Sequence, residues 1–300
     1  MREGFALPFF LLGQLACRSR RDGLSGQACA TELARVDLQV EKTREPVFNI
    51  PPVVLGLVAG LCFIHVLVAY VLSAEESETL LELFAFEPLR YYATTELDGP
   101  LPGGVLADIW TFVTYAFLHI NLTHLAFNLI WLIAFGTPVA RRFGTWRFLA
   151  FFAFTAATGA LAHLISHFGE DVPAIGASAA VLGMMAAAMR FVFQPGGPLG
   201  FLRLGEAETY RVPARPLAAM LRDPRTHLFG LAWFGLNALL GLPLFSMPGV
   251  EASVAWQAHI GGFVGGLLAF AAFDPVPAAP MAENGRDPDA QSSGDEAANR

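Results

Sequence analysis

The sequence predicts an all-α membrane protein of six transmembrane helices with both termini on the cytoplasmic side. Three observations point there: an apolar composition, apolar runs of bilayer length, and an alternation of charge between the loops. Of 300 residues, 54% are hydrophobic and 15% charged, with a mean hydropathy of +0.49. A soluble domain of this size does not sustain such a balance. A crossing helix needs about 20 predominantly apolar residues. Runs of that kind fall at 53–73, 121–140, 146–166, 173–193, 227–246 and 255–273, with polar or Pro/Gly-rich breaks between them. Apolar character begins near Trp110, before the second run, and is interrupted by His119 to His124. Asn121 reads as the N-cap of that span, and the stretch before it as an interfacial segment.

The loops test the count independently. Lys42 and Arg44, then Arg141 and Arg142, then Arg203, Arg211, Arg215, Arg222 and Arg225 occupy the N-terminal flank, second loop and fourth loop. The first, third and fifth loops carry Glu75, Glu76, Glu78, Glu82, Asp98, Glu170, Asp171 and Glu251 instead. Positive loops stay cytoplasmic, so six crossings leave both ends on that side. Residues 1–45 then form a poorly ordered cytoplasmic extension, 46–273 the membrane domain and 274–300 a disordered tail. The tail is rich in Pro, Ala, Asp, Glu, Asn and Ser, and has too little apolar surface to offset its ordering entropy. In the extension, the apolar stretch Phe5–Ala16 has the length of a signal-peptide core, but arginines follow it rather than precede it. Cys17, Cys29 and Cys62 lack metal-ligand spacing, and no disulfide framework is expected. The net charge of −7, without a basic face, gives no indication of nucleic acid as a partner.

Polar groups inside membrane helices are costly and ask for a partner or a role. Here they converge in one shallow layer. Ser178 follows Pro173 by five residues, about 7.5 Å below the extracytoplasmic surface at 1.5 Å per residue. His259 opens the sixth span from the same side, and His124 and Asn128 share a face of the second at i, i+4. Small residues let the helices approach: Gly176, Ala177, Ala179, Ala180 and Gly183 on one, and Gly261, Gly262, Gly265 and Gly266 on the other. A serine hydroxyl needs a base to become nucleophilic, and neutral imidazole is suited to the task. With no Asp or Glu inside the spans, Ser178 and His259 form a two-residue candidate for peptide-bond attack. His124, Asn128 and the Ser178 N–H are candidate donors to the developing oxyanion.

These residues resemble the rhomboid family of intramembrane serine proteases over about 51–273. His119 to Asn128 looks like its second-span signature, Gly176-Ala177-Ser178-Ala179 like its nucleophile motif, and Ala258-His259 with Gly262 and Gly266 like its last-span motif. The resemblance implies a six-span bundle, a Ser178/His259 dyad, an oxyanion site supported by His124 and Asn128, and no metal or cofactor. It also implies transmembrane protein substrates cleaved within membrane lipid near helix-destabilising residues, and residence in a bacterial inner membrane. Three departures stand out: Ala179 replaces the motif's second glycine, Trp110-Thr111 replaces a Trp-Arg pair, and Leu182 replaces an aromatic residue beside the base.

The other polar residues read as structural. His119 precedes the cap and suits an interfacial position. His65, His163 and His167 read as satisfied by backbone or interfacial partners; His163 and His167 lack a third metal ligand. Asn237 reads as a helix-to-helix hydrogen bond, and Asn121-Leu122-Thr123 as a glycosylation sequon placed in the membrane, where it would go unused. Trp233 and Phe234 lie on a span that in rhomboid-like proteins is thought to gate substrate entry; lipid contact is the simpler reading. The loop 194–226 reads as an interfacial segment attracted to anionic lipid. Two other function classes remain open at this point. A catalytically inactive rhomboid-like protein that binds membrane clients draws support from Ala179, and a small transporter lacks the internal repeats it would favour.

Overall fold

The computed structural model describes residues 50–92, 101–199, 207–240 and 255–277. The expected N-terminal extension, most of the expected tail and the end of the fifth predicted span lie outside them. Among the described residues, four helices are long and apolar enough to cross a membrane: Pro52–Val71, Leu122–Phe143, Thr145–Ser166 and Trp256–Phe273. They match the first, second, third and sixth predicted spans to within a few residues.

Helix α1 (Pro52–Val66) widens into a π turn over Leu67–Val71. Pro52 suits its first turn, where a missing N–H leaves no bond unmade. The acidic segment that follows, read from sequence only as loop, forms a helix, α2 (Ala74–Phe84). A capping box starts it: the Ser73 hydroxyl accepts the Glu76 N–H while the Glu76 carboxylate accepts the Ser73 N–H at 2.8 Å. A third helix, α3 (Gly104–Thr114), continues as a tight turn over Tyr115–Phe117. Val105, Leu106 and Ile109 on it are exposed, as an interfacial segment requires.

This first loop is held together without an arginine after the tryptophan. Trp110 Nε1 donates to the Leu83 carbonyl at 2.8 Å, and Thr114 Oγ1 to the Phe84 carbonyl at 2.9 Å. The guanidinium comes from Arg90, whose two Nη atoms donate to the Pro102 and Glu82 carbonyls at 2.9 Å. Thr111 turns inward, donating to its own helix at Ala107.

The second predicted span is built of two helical pieces, α4 (Leu122–Trp131) and α5 (Thr137–Phe143), joined by a π turn over Leu132–Gly136. Asn121 caps α4 as expected, its Oδ1 accepting the His124 N–H at 2.8 Å. Pro138 in the first turn of α5 has no N–H to give the preceding turn, and the ladder widens just before it. Then follow α6 (Thr145–Ser166), α7 (Ser178–Met189), the short α8 (Leu217–Leu221), α9 (Pro224–Leu240) and α10 (Trp256–Phe273).

The fourth predicted span is where the structure departs most from expectation. Residues 173–177 are not helical, and α7 has 12 residues beginning at Ser178 itself. Ala174 instead pairs with Phe86 through two backbone hydrogen bonds of 3.1 and 2.8 Å. Ala174, Gly176 and Ala177 of this stretch are buried in protein, where non-helical backbone is tolerable. Every residue of α7 from Ala179 to Met189 is buried.

Helix α10 fits between α6 and α7 on two glycine faces. A Cβ at Gly262 or Gly266 would collide with the backbone of Ala179 or Gly183 on α7; one at Gly261 or Gly265 would collide with Ala162 or Thr158 on α6. Backbones this close gain dispersion along the whole crossing.

At the far ends of these helices, Arg142 ties three segments. It donates to both carboxylate oxygens of Asp274 at 2.8 Å and to the Tyr210 and Val212 carbonyls at 2.8 Å, and stacks over Phe191. Arg190 donates to the Arg215 carbonyl at 3.0 Å, and Gln194 to that of Pro213 at 2.9 Å. The described part of the loop expected at the lipid interface is thus anchored to the bundle. Arg142 and Asp274 are both buried, and removing one partner strands the other's charge. Arg142→Ala is expected to cost about 3–5 kcal/mol, and Arg142→Lys to recover little of it, since an ammonium cannot reproduce the fork. Thermal unfolding in detergent micelles measures both.

Candidate active site

Ser178 is the first residue of α7 and His259 lies one turn into α10. Both helices start at the same end of the bundle, and the glycine contact brings the side chains together: His259 Nε2 and Ser178 Oγ are 2.8 Å apart. That separation is a hydrogen bond; with His259 neutral and its proton on Nδ1, the hydroxyl donates to Nε2.

No side chain caps α7. The first N–H groups of a helix have no partner within it and carry the positive end of its dipole. At α7 these groups begin with Ser178, so a negative charge forming beside its hydroxyl meets backbone donors already in place. The approach to the serine is shaped by Gly176, whose φ of +115° excludes most side chains and whose N–H donates to the Tyr115 carbonyl at 2.9 Å. The His124 imidazole lies against it: a Cβ at Gly176 would stand 2.7 Å from both Cε1 and Nε2 of that ring. Asn128, buried one turn further along α4, donates from Nδ2 to the His124 carbonyl at 2.9 Å. One of its amide protons is spent there, and the other remains.

Ser178 and His259 thus bond directly, His124 lines the same hollow, and Asn128 braces the backbone of His124. Ala179 fills the three-helix contact: its methyl faces Gly159 of α6 and its carbonyl faces Gly262 of α10. The methyl that replaces the motif's glycine hydrogen is therefore matched by the absence of one across the interface. Leu182 packs in a cluster with Met185, Met189 and Trp233, against which Trp131, Phe135 and, one turn after His259, Phe263 of α10 are partly buried.

His119 is buried, its ring 5.1 Å from that of His124, centroid to centroid, and its carbonyl accepts from His65 Nδ1 at 3.3 Å. It therefore borders the site rather than sitting apart at the interface. His163 donates from Nε2 to the Val172 carbonyl at 2.8 Å, and His167 Nδ1 bonds Glu170 at 2.7 Å. Both take partners in the manner expected. Trp233 does not: it is buried edge-on against Trp131, centroids 4.2 Å apart, with Phe135 at 5.6 Å. Indole burial between two helices replaces the lipid contact expected of it. The side chains of Phe234 and Asn237 lie outside the described residues.

Sequence reasoning missed Tyr115 and Phe86. Tyr115 is fully buried, takes the Gly176 N–H on its carbonyl and donates from its hydroxyl to the Ala156 carbonyl at 2.9 Å. Phe86 supplies the backbone pairing to Ala174. Each is an aromatic in an apolar stretch, and no local pattern distinguishes it.

The profile of the rhomboid domain family matches residues 106–274, more than half of the chain, and includes Tyr115, His119, His124, Asn128, Ser178 and His259. The chain belongs to the rhomboid family. It is 29% identical over 163 residues to the rhomboid protease GluP of Bacillus subtilis (strain 168), covering 54% of this chain and 26% of that protein. It is 31% identical over 94 residues to the rhomboid protease GlpG of Serratia proteamaculans (strain 568), 31% of this chain and 28% of that protein. It is 28% identical over 175 residues to GlpG of Yersinia pestis (strain Pestoides F), 57% of this chain and 51% of that protein. The chain thus spans between 26% and 51% of the length of these relatives. Helix α1 precedes the rhomboid match, which begins within α3.

The rhomboid core of this chain tolerates Ala179 through Gly159, which makes the pair a testable unit. A Cβ at Gly159 would strike that of Ala179 and approach the Ala258 carbonyl and Tyr115 hydroxyl to 3.0 Å. Gly159→Ala is expected to lose about 1–3 kcal/mol to overpacking. Adding Ala179→Gly is expected to return a large part of that loss, read as coupling in a double-mutant cycle of thermal stabilities.

Proposed function

We propose that this protein is an intramembrane serine endopeptidase that hydrolyses a peptide bond of single-pass transmembrane substrates near the extracytoplasmic face, using Ser178 as nucleophile and His259 as general base. The observation that carries the reading is the 2.8 Å bond between Ser178 Oγ and His259 Nε2, made by two helices that bring few other polar groups to that depth. It favours catalysis over the alternative of an inactive client-binding rhomboid, because binding alone gives no reason to hold a hydroxyl on an imidazole.

In this scheme His259 accepts the Ser178 proton as Oγ bonds to the substrate carbonyl carbon, and the carbonyl π pair moves onto oxygen. The Ser178 N–H, the His124 ring through an Nε2–H, and the free Asn128 amide proton stabilise that oxyanion. One such donor is worth about 2.7–4 kcal/mol of barrier. Collapse expels the amine, which takes the proton from His259. Water then attacks the acyl-enzyme with the same base, releasing the carboxylate and restoring Ser178.

The orientation that suits this chemistry has six crossings and both termini cytoplasmic, with 46–273 as the membrane domain between a cytoplasmic extension and a C-terminal tail. Arg141, Arg142, Arg215 and Arg222 lie at the end of the bundle opposite Ser178, which the positive-inside tendency places in the cytoplasm. The bacterial relatives support an inner-membrane location.

Two measurements test the proposal. Ser178→Ala is expected to abolish cleavage of a model single-span substrate in proteoliposomes, and full cleavage by that variant overturns the nucleophile assignment. A fluorophosphonate probe is expected to label the native protein at Ser178, and His259→Ala to suppress the labelling. Folded protein that binds the substrate yet neither cleaves it nor reacts supports the client-binding alternative.

A further inference from the structure

The segment that delivers Ser178 is tied to the first loop just ahead of the serine. Phe86 and Ala174 exchange two backbone hydrogen bonds, four residues before the serine. Glu87, the next residue, is half-buried at that seam. Its carboxylate accepts the Leu89 N–H at 3.2 Å and lies near the Val172 N–H of the third loop. The charges around it come from both sides. Arg90, which also reaches Asp108 at 3.8 Å, attracts it; Asp171 on the third loop repels it. Beyond these, His163 holds the Val172 carbonyl and His167 is engaged by Glu170.

The like charges of Glu87 and Asp171, on the two sides of a seam held by two backbone bonds, oppose it when both are ionised. A proton on one removes the repulsion and the desolvation cost together. We infer that Glu87 is a positioning residue for the nucleophile: in its neutral form it lets the first loop clasp the 172–177 segment through the Phe86–Ala174 pairing, and in its ionised form it loosens that clasp. The inference deepens the proposed protease reading by naming a control on Ser178, but the clasp itself can be observed without catalysis.

The direction with pH follows from linkage. In the clasped form, burial as the largest cause, together with Asp171, pushes the Glu87 carboxyl up to about 7 from 4.5. The released carboxyl, solvated, returns to the lower value. The clasp is therefore at full strength below 4.5, weakens as pH rises, and levels off above 7. Between pH 5.5 and 8, its opening constant is expected to rise by about 25-fold on these two values.

The experiment is hydrogen–deuterium exchange of the peptide covering 172–178 in the full chain carrying Ser178→Ala, in nanodiscs, corrected for intrinsic exchange. Protection of Ala174 and Gly176, both bonded to the first loop, is expected to fall across that pH range. Glu87→Gln, which imitates the neutral form in the same volume, is expected to hold protection high and flat. Asp171→Asn is expected to move the midpoint toward lower pH. Pairing that stays pH-independent in the parent, or a Glu87→Gln variant that keeps the full pH dependence, overturns the inference. In protein with Ser178 intact, Glu87→Gln is expected to preserve cleavage above pH 7 relative to the parent. Absence of cleavage in every variant, with the exchange pattern present, refutes the protease reading and leaves the clasp standing.

Discussion

The structure depends on how closely two backbones approach. A serine side chain is short, and an imidazole on a neighbouring helix reaches it only if nothing thicker than a hydrogen separates the chains near the contact. Gly262 and Gly266 of α10 meet the backbone of α7, and the opposite glycines of α10 meet α6. That geometry sets the 2.8 Å bond between Ser178 and His259. It also explains the burial of α7, which is enclosed by the helices that carry the rest of the site.

Around that contact, the polar residues are arranged as a chain of supports. Asn128 braces His124, His124 lies on Gly176, Gly176 hangs from Tyr115, and Tyr115 is bonded to α6. Three of these links are hydrogen bonds that satisfy buried polar groups, whereas His124 meets Gly176 by packing and keeps its Nδ1 without a partner. Preorganisation of the hollow is thus a by-product of satisfying hydrogen bonds away from water.

Much of this was legible in the sequence, for physical reasons. Bilayer thickness sets span length, so apolar runs located the long helices. Polar residues are rare in spans, so Ser178, His259, His124 and Asn128 stood out. What escaped depends on tertiary contacts. The start of α7 at Ser178 was hidden because 173–177 is as apolar as a helix would be, and bonds to Phe86 and Tyr115 hold it out of the helix. Helix α2 carries a capping signal, Ser73 to Glu76, that is masked by the acidic charge of the segment. Ala179 looked like a defect because its counterpart Gly159 sits on another helix. Trp233 looked lipid-facing because burial against Trp131 leaves no periodic trace.

The brevity of α7 has a consequence for life in real membranes. At 12 residues it is shorter than a bilayer core, yet it is buried from Ala179 onward. Thickening or thinning of the lipid strains helices that face acyl chains, through tilt and mismatch. Ser178 rides on an element sheltered from that strain, so variation in lipid composition reaches it only as far as the outer helices transmit it.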